Sequence, residues 1–311
     1  MNTGKGQTVP KGKLLVQRIC WAGIIALGVA TSLVMAVAWY ASEKVIHPQR
    51  EPAINPTSFN LPLEEINFES RDGLRLAGWF IPGTHRATVI LAHGRGRGHS
   101  HMLPDAKYLY ERGFSVLLLD FRYHGKSEGD ALTLGAKEAW DIESAVDYLK
   151  SRPDVNPGRI GVQGVSMGAV AALLAAAETP EIKGVVAEIP FASINGILNH
   201  SFQKETGLPS FPFALITKWL CESRLDVDFD RVAPVEVIRK ISPRPVFLID
   251  DLEDDLFPAD SVEALYDAAV EPKLLWQIPG CAHAKGRECA PEEYERRIVG
   301  FWQNVLGLDR P

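Results

Sequence analysis

A serine between two glycines has the clearest chemical meaning of any feature in this sequence. Ser166 lies in Gly-Val-Ser-Met-Gly, residues 164–168, between an apolar run and an alanine-rich stretch. A sharp turn from strand to helix holds its central residue in strained backbone angles, and glycines two positions away remove side chains that would clash. The pattern predicts an exposed, nucleophilic serine, although glycine-serine turns also close ordinary strand–helix connections.

The general base must come from a histidine, because a serine hydroxyl is a weak nucleophile at neutral pH. His200 and His283 are the two histidines that follow Ser166. On a turn of this kind the expected chain order is serine, acid, histidine. His283 follows the segment of residues 250–258, which is rich in aspartate and glutamate, whereas His200 precedes this segment. We therefore predict that His283 is the base and that this segment supplies the acid.

These patterns resemble the serine hydrolases of the α/β-hydrolase superfamily, in the branch of esterases, lipases and serine-aminopeptidase-like enzymes. The resemblance covers residues 66–306. In that family the acid commonly lies four residues before a proline that opens the next helix. Relative to Pro258, the resemblance implies Asp254 as the acid and Asp255 as the alternative.

The remaining carboxylates of this loop depart from the family pattern. Asp250 and Asp251 stand where the family usually has His-Gly. We interpret them, together with Glu253, as a solvated acidic loop. Glu188, which ends another apolar run, is a distant alternative for the acid.

The segment His93-Gly94-Arg95-Gly96 also resembles a family motif, the oxyanion loop. Acyl transfer places negative charge on the former carbonyl oxygen, so backbone amides must already face that position. The resemblance implies the N–H groups of Arg95 and Met167 as donors. We expect His93 to hold the loop by hydrogen bonds, since a triad uses a single base. Residues 120–127 resemble an architectural segment of the family.

The implied reaction is hydrolysis of a carboxylic ester or thioester of a small-molecule or lipid-like acyl substrate, through an acyl-serine. An amidase or peptidase would use the same three groups, because the triad does not select the leaving group. The alternative from another class is a binding or scaffold protein that kept the fold without catalysis. We expect no metal and no organic cofactor, since the chemistry requires none and no zinc-ligand spacing is present.

The alternation of apolar runs and helical patterns predicts a mostly parallel central sheet covered by helices on both faces, and the resemblance implies that this sheet has the α/β-hydrolase fold. Two strand-like runs on either side of residues 71–73 predict a hairpin that precedes the alternating part of the chain. Helices are expected at residues 105–112, 136–152, 167–178, 261–270 and 291–306. Residues 191–240 interrupt this order and resemble a small cap insertion. Its aromatic residues either line an acyl pocket or form the cap's own core.

An uncharged apolar segment, residues 19–42, precedes the domain and is long enough for a transmembrane helix or uncleaved signal anchor. Lysines and an arginine before it place residues 1–18 in the cytoplasm and the catalytic domain on the extracytoplasmic side. A cleaved signal peptide, which would release a secreted protein, is the alternative. The prolines of residues 43–62 predict a stiff linker that holds the hydrolase domain, residues 63–311, away from the membrane.

Charge and cysteine content narrow the remaining possibilities. The net charge of −6 gives no support for nucleic-acid binding, which needs a concentrated basic face. Cys281 and Cys289 flank His283. The pair either forms a disulfide that stiffens the histidine loop or remains as two thiols, because sequence does not give their distance.

Overall fold

The computed structural model describes residues 11–308. The first ten residues of the predicted cytoplasmic segment, which include the basic residue Lys5, lie outside this range. The helices are α1 (Lys11–Ile46), α2 (Leu103–Glu111), α3 (Glu138–Ser151), α4 (Met167–Glu178), α5 (Ile194–Thr206), α6 (Ser210–Leu225), α7 (Pro234–Val237), α8 (Ser261–Ala268), α9 (Gly286–Cys289) and α10 (Pro291–Val305). The strands are β1 (Glu64–Glu69), β2 (Arg75–Ile81), β3 (Thr88–Ala92), β4 (Ser115–Leu119), β5 (Ile160–Val165), β6 (Ile182–Glu188), β7 (Val246–Asp251) and β8 (Lys273–Ile278).

The eight strands form one sheet in the order β1-β2-β4-β3-β5-β6-β7-β8. Strands β1 and β2 form an antiparallel hairpin, and β2 is also antiparallel to β4. From β4 through β8 every neighbouring pair is parallel. The predicted fold class, a mostly parallel sheet with helices, is confirmed.

Both faces of the sheet are covered, which explains the continuous apolar runs in the sequence. Along β3, Ile90 packs in the core beneath α3, α4 and α8, whereas Val89 and Leu91 pack beneath α2 and α10. Successive side chains of a strand point to opposite faces, so a central strand is largely apolar along its whole length. All five residues of β3 are buried.

The carboxyl ends of the parallel strands point to one edge, where their loops carry the predicted functional residues. The cap helices α5, α6 and α7 lie between β6 and β7 in the chain, within the expected insertion at residues 191–240.

The segment after the apolar helix differs from the linker that we expected at residues 43–62. Helix α1 continues to Ile46, which is buried and whose carbonyl accepts a hydrogen bond from Leu132 N at 3.1 Å. Further along, Glu51 N donates to Gly96 O at 2.7 Å and Ile54 N donates to Ser100 Oγ at 2.9 Å. Burial of apolar side chains and these hydrogen bonds hold the segment against the domain, so it is not a free spacer.

Candidate active site

Ser166 occupies the turn between β5 and α4 with a φ of +55° and a ψ of −121°. Such a positive φ is strained for a residue with a side chain and recurs at functional sites. The two flanking glycines permit it. A Cβ on Gly164 would lie 2.3 Å from Gly168 O, and one on Gly168 would lie 2.2 Å from Ala92 O. The turn therefore requires glycine on both sides of the serine.

His283 comes from the loop after β8 and reaches the serine across the edge of the sheet. Its Nε2 lies 3.0 Å from Ser166 Oγ, a hydrogen-bond distance. The imidazole and the ring of Phe257 pack in a T-shaped arrangement, with ring centroids 4.8 Å apart. This contact limits rotation of the imidazole. His200, in contrast, lies on α5 with its Nε2 3.1 Å from Asp255 O.

Asp254 lies beside the other nitrogen of this imidazole. Its Oδ2 is 3.1 Å from His283 Nδ1, and its Oδ1 accepts a hydrogen bond from Leu256 N at 2.8 Å. Oδ2 and Nδ1 have no aligned hydrogen bond among the described residues, as is common before a substrate tightens such a site. The alternative acid, Asp255, has a side chain that is 85% exposed and pairs with Lys204. Of the two predicted acids, only Asp254 contacts the histidine.

The oxyanion loop passes directly beside the serine. A Cβ on Gly94 would lie 3.6 Å from Ser166 Cβ, and Arg95, Met167 and Ser166 line one cavity. His93 is buried, with Nδ1 2.8 Å from Gly94 O and Nε2 accepting from Phe121 N at 3.2 Å. Burial and the neighbouring His124 lower the pKa of His93 to about 3, so its ring is neutral. The ring links the oxyanion loop to the end of β4.

Residues 120–127 hold the neighbouring loop in place. Asp120 accepts hydrogen bonds from His99 N at 2.8 Å and from Lys126 N at 3.0 Å. Ser127 Oγ donates to Asp120 O at 2.6 Å. Asp120 therefore ties the oxyanion loop's continuation to the segment after β4, which is an architectural function.

Known proteins share this architecture. Residues 83–225 match the family model described as Hydrolase_4, serine aminopeptidase S33. YfhR, an uncharacterized protein of Escherichia coli strain K12, is 32% identical over 252 residues, which cover 78% of this chain and 81% of that protein. The chain belongs to the α/β-hydrolase superfamily.

Two further proteins agree with this assignment. YqkD of Bacillus subtilis strain 168, also uncharacterized, is 32% identical over 239 residues, covering 73% of this chain and 77% of that protein. Among solved structures, the Pyrococcus furiosus esterase Pf2001 is 27% identical, with a TM-score of 0.70 over 85% of this chain and 99% of its own.

A large cavity opens onto the serine of this α/β-hydrolase. Its volume is about 610 Å³, within the range that encloses a drug-sized ligand. Apolar side chains from the cap and from α1 line it, among them Phe191, Leu198 and Phe202. The aromatic residues of the cap neither all line a pocket nor all form a core of the cap. Phe229 is buried in the core, whereas Trp219 is exposed.

The interpretation of a solvated acidic loop is wrong for two of its members. Asp250 and Asp251 are the last residues of β7 and are 5% and 1% exposed, whereas Glu253 is exposed. Strand β7 continues two residues beyond its apolar run, so Asp250 and Asp251 belong to the sheet and are buried at its carboxyl end. Burial raises the pKa of Asp250 and raises that of Asp251 to about 6.

Asp251 and Glu188 together hold the chain that follows the histidine. Lys285 N donates to Asp251 Oδ2 at 3.1 Å, and Gly286 N donates to Glu188 Oε1 at 3.0 Å. Tyr294 Oη donates to Glu188 Oε2 at 2.6 Å. Burial and the nearby Asp251 raise the pKa of Glu188 to about 7. The sequence analysis did not predict that Asp251 and Glu188 hold this loop. The signal in the sequence was a carboxylate at the end of each of the two strands.

A disulfide closes the same loop. Cys281 and Cys289 are joined, with Cα atoms 5.9 Å apart and eight positions of separation. The bridge links the segment just before His283 to the end of α9. It therefore closes the loop that contains His283.

Replacing both cysteines by serine is expected to lower the free energy of unfolding by about 2–3 kcal/mol, because an open loop gives the unfolded chain more freedom. We also expect kcat to fall several-fold as the histidine loop relaxes. Urea unfolding and ester hydrolysis in detergent measure both quantities. Cys20→Ser, at an exposed free cysteine of α1, is the control. Equal midpoints for untreated and dithiothreitol-treated wild type would contradict the prediction.

Proposed function

We propose that this α/β-hydrolase is a membrane-anchored serine esterase that cleaves a carboxylic ester or thioester through an acyl-serine. The observation that carries the proposal is the chain of contacts from Ser166 Oγ to His283 Nε2, at 3.0 Å, and from His283 Nδ1 to Asp254 Oδ2, at 3.1 Å. Nucleophile, base and acid thus lie in the order that acyl transfer requires.

In the proposed first step, Ser166 Oγ attacks the carbonyl carbon while His283 Nε2 takes the hydroxyl proton. Asp254 stabilises the imidazolium that forms. The backbone N–H groups of Arg95 and Met167 donate to the oxygen that becomes negative. His283 then gives its proton to the departing alcohol or thiol, which leaves an acyl-serine.

Water completes the proposed cycle from the position that the leaving group vacated. His283 removes one proton from the water as its oxygen attacks the acyl carbon, and the ester bond to Ser166 breaks. Ser166 Oγ recovers the proton through His283, and the free carboxylic acid leaves. The protein groups end in their starting protonation states, so no cofactor takes part.

The choice of an ester rests on the apolar cavity and on the likeness to a structure named as an esterase. The description of the matching family as serine aminopeptidases favours a second candidate, an amidase or peptidase with the same residues. Cleavage of an anilide as fast as the ester of the same acyl group would support that candidate.

The membrane anchor is the other part of the proposal. Residues 15–46 of α1 are long and apolar enough to span a bilayer, a property that signal sequences share. Retention is favoured because Ala38 and Ser42 are buried against the domain and Tyr40 lines the cavity. Lys13 lies before this segment and Arg18 lies near its start, which favours a domain on the extracytoplasmic side. The disulfide suits an oxidising compartment.

A fluorophosphonate probe tests the nucleophile. We expect one covalent label per chain in the wild type and none in Ser166→Ala, because the probe reacts with an activated serine. Labelling is measured by intact-protein mass spectrometry of the detergent-solubilised full chain. The control is Ser201→Ala. That hydroxyl lines the same cavity but donates to Leu256 O at 3.2 Å, so this variant should keep the label. An unlabelled wild type would favour the scaffold alternative.

A further inference from the structure

The last turns of the membrane helix form a wall of the active-site cavity. Val37, Tyr40 and Ala41 of α1 line the cavity that opens onto Ser166. The end of this helix is also tied to the oxyanion loop, because Arg95 Nη2 donates to Lys44 O at 2.6 Å. A substrate in this cavity therefore contacts the anchor itself.

The length of the helix places this wall at the membrane surface. The charge-free stretch begins at Ile19, directly after Arg18. About 20 helical residues cross the hydrocarbon core, so the core ends near Ala38. Trp39 and Tyr40 follow and are exposed, as suits aromatic residues at the headgroup level. The cavity wall thus lies where the bilayer meets water.

Helix α6 of the cap runs beside α1 in the same direction. Thr217 Oγ1 donates to Ala38 O at 3.4 Å, and seven residues later Arg224 donates to Ser42 Oγ at 3.1 Å and pairs with Glu43 at 2.6 Å. The charged end of α6 accordingly lies farther along α1, away from the membrane. The first half of α6 lies toward the bilayer.

From its start as far as Trp219, α6 carries large apolar side chains that stay exposed among the described residues. Phe211 is 75% exposed, and Leu215 and Trp219, one helical turn apart, are 61% and 56% exposed. Leu215 and Trp219 share a face of the helix because they are four residues apart, whereas Phe211 has an extended backbone just before the regular helix. A tryptophan and leucine on such a face favour insertion at the headgroup–acyl boundary. We call these three residues the cap stripe.

We propose that the cap stripe lies in the membrane leaflet nearest the domain, and that the substrate is a bilayer-resident ester whose long acyl chain enters the cavity along α1. This inference rests on the proposed esterase activity. The occupant of the stripe is the bilayer that α1 spans, because the stripe is continuous with that helix. The products are a fatty acid and an alcohol, formed by acylation of Ser166 and hydrolysis of the acyl-serine as described above.

The first test narrows the wall of the cavity. The full chain is reconstituted in phosphatidylcholine nanodiscs and assayed with 4-methylumbelliferyl palmitate dissolved in the bilayer and with 4-methylumbelliferyl butyrate in the buffer. Ala41→Trp is expected to lower the palmitate-to-butyrate rate ratio by about tenfold or more, since a hydrophobic pocket discriminates strongly by size. The matched control is Ala36→Trp, on the exposed, non-lining side of the same helix.

The second test changes the cap stripe without touching the cavity. We expect Leu215→Lys/Trp219→Lys to lower the same rate ratio about fivefold or more, because two charges oppose insertion into the leaflet. Leu274→Lys, at an exposed leucine on the edge strand β8, should keep the wild-type ratio. Fluorophosphonate labelling of every variant verifies that the site is folded.

The outcomes separate the two proposals. Wild-type ratios in both Ala41→Trp and the stripe variant, with both esters hydrolysed, overturn the membrane-substrate inference and leave the esterase intact. A palmitate rate below the butyrate rate in the wild type also overturns it. Failure of the wild type to label or to hydrolyse either ester overturns the proposed function instead.

Discussion

Replacing His283 by alanine is expected to lower kcat about 10⁵-fold to 10⁶-fold with little change in KM, because removal of the base disables all members of a triad together. Ester hydrolysis by the full chain in detergent measures the loss. The Nε2 atom of His283 lies 3.0 Å from Ser166 Oγ, so the substitution removes the group that is placed to take the hydroxyl proton.

The matched control is His200→Ala, the other histidine that follows Ser166 in the chain. This imidazole lies on α5 beside Asp255 O and does not contact the serine. Its loss should leave kcat within about twofold, as expected for a surface change. A loss of less than about 100-fold in His283→Ala, with the same thermal unfolding midpoint as wild type, would mean that another group serves as the base.

Asp254→Asn is expected to lower kcat about 10⁴-fold, because the amide neither stabilises the imidazolium nor holds the productive tautomer. Asp255→Asn provides an almost ideal comparison at the next position. Its carboxylate pairs with Lys204 at the surface, so its loss should change kcat by no more than about twofold. Both variants are measured with the same soluble ester.

The reverse order of effects would transfer the acid's role to Asp255. Equal, small effects would contradict a carboxylate-assisted base altogether. The pH dependence adds a second readout, since loss of the acid should change the pH profile of kcat/KM and a purely structural effect should not.

Local patterns were sufficient to predict the turn at Ser166 and the parallel sheet. The serine turn depends on glycines within two positions, and the strands depend on apolar runs that both faces of the sheet require. His283 followed from chain order. The prediction of Asp254 as the acid depended on the family resemblance and on the proline four residues later. In the structure its carboxylate lies beside His283.

The errors concern burial that depends on distant parts of the chain. Asp250 and Asp251 look like surface residues in sequence, yet pairing of β7 with β8 extends to both of them. Their hydrogen-bond donors come from residues more than 25 positions away. The linker was misjudged for the same reason, because proline content does not reveal that the domain binds the segment.

Helix α1 is apolar enough to span a membrane and also lines the cavity. This has a practical consequence for anyone preparing a soluble fragment. Removal of the chain through Ile46 would delete Val37, Tyr40 and Ala41 and leave one side of the cavity beside Ser166 open to water. Such trimming would also delete Lys44, whose carbonyl accepts a hydrogen bond from Arg95, so a fragment that still reacted with small chromogenic esters would have lost a restraint on the proposed oxyanion loop. Inhibitor selectivity and chain-length preference measured on it would nevertheless describe a wider and wetter cleft than the intact protein has.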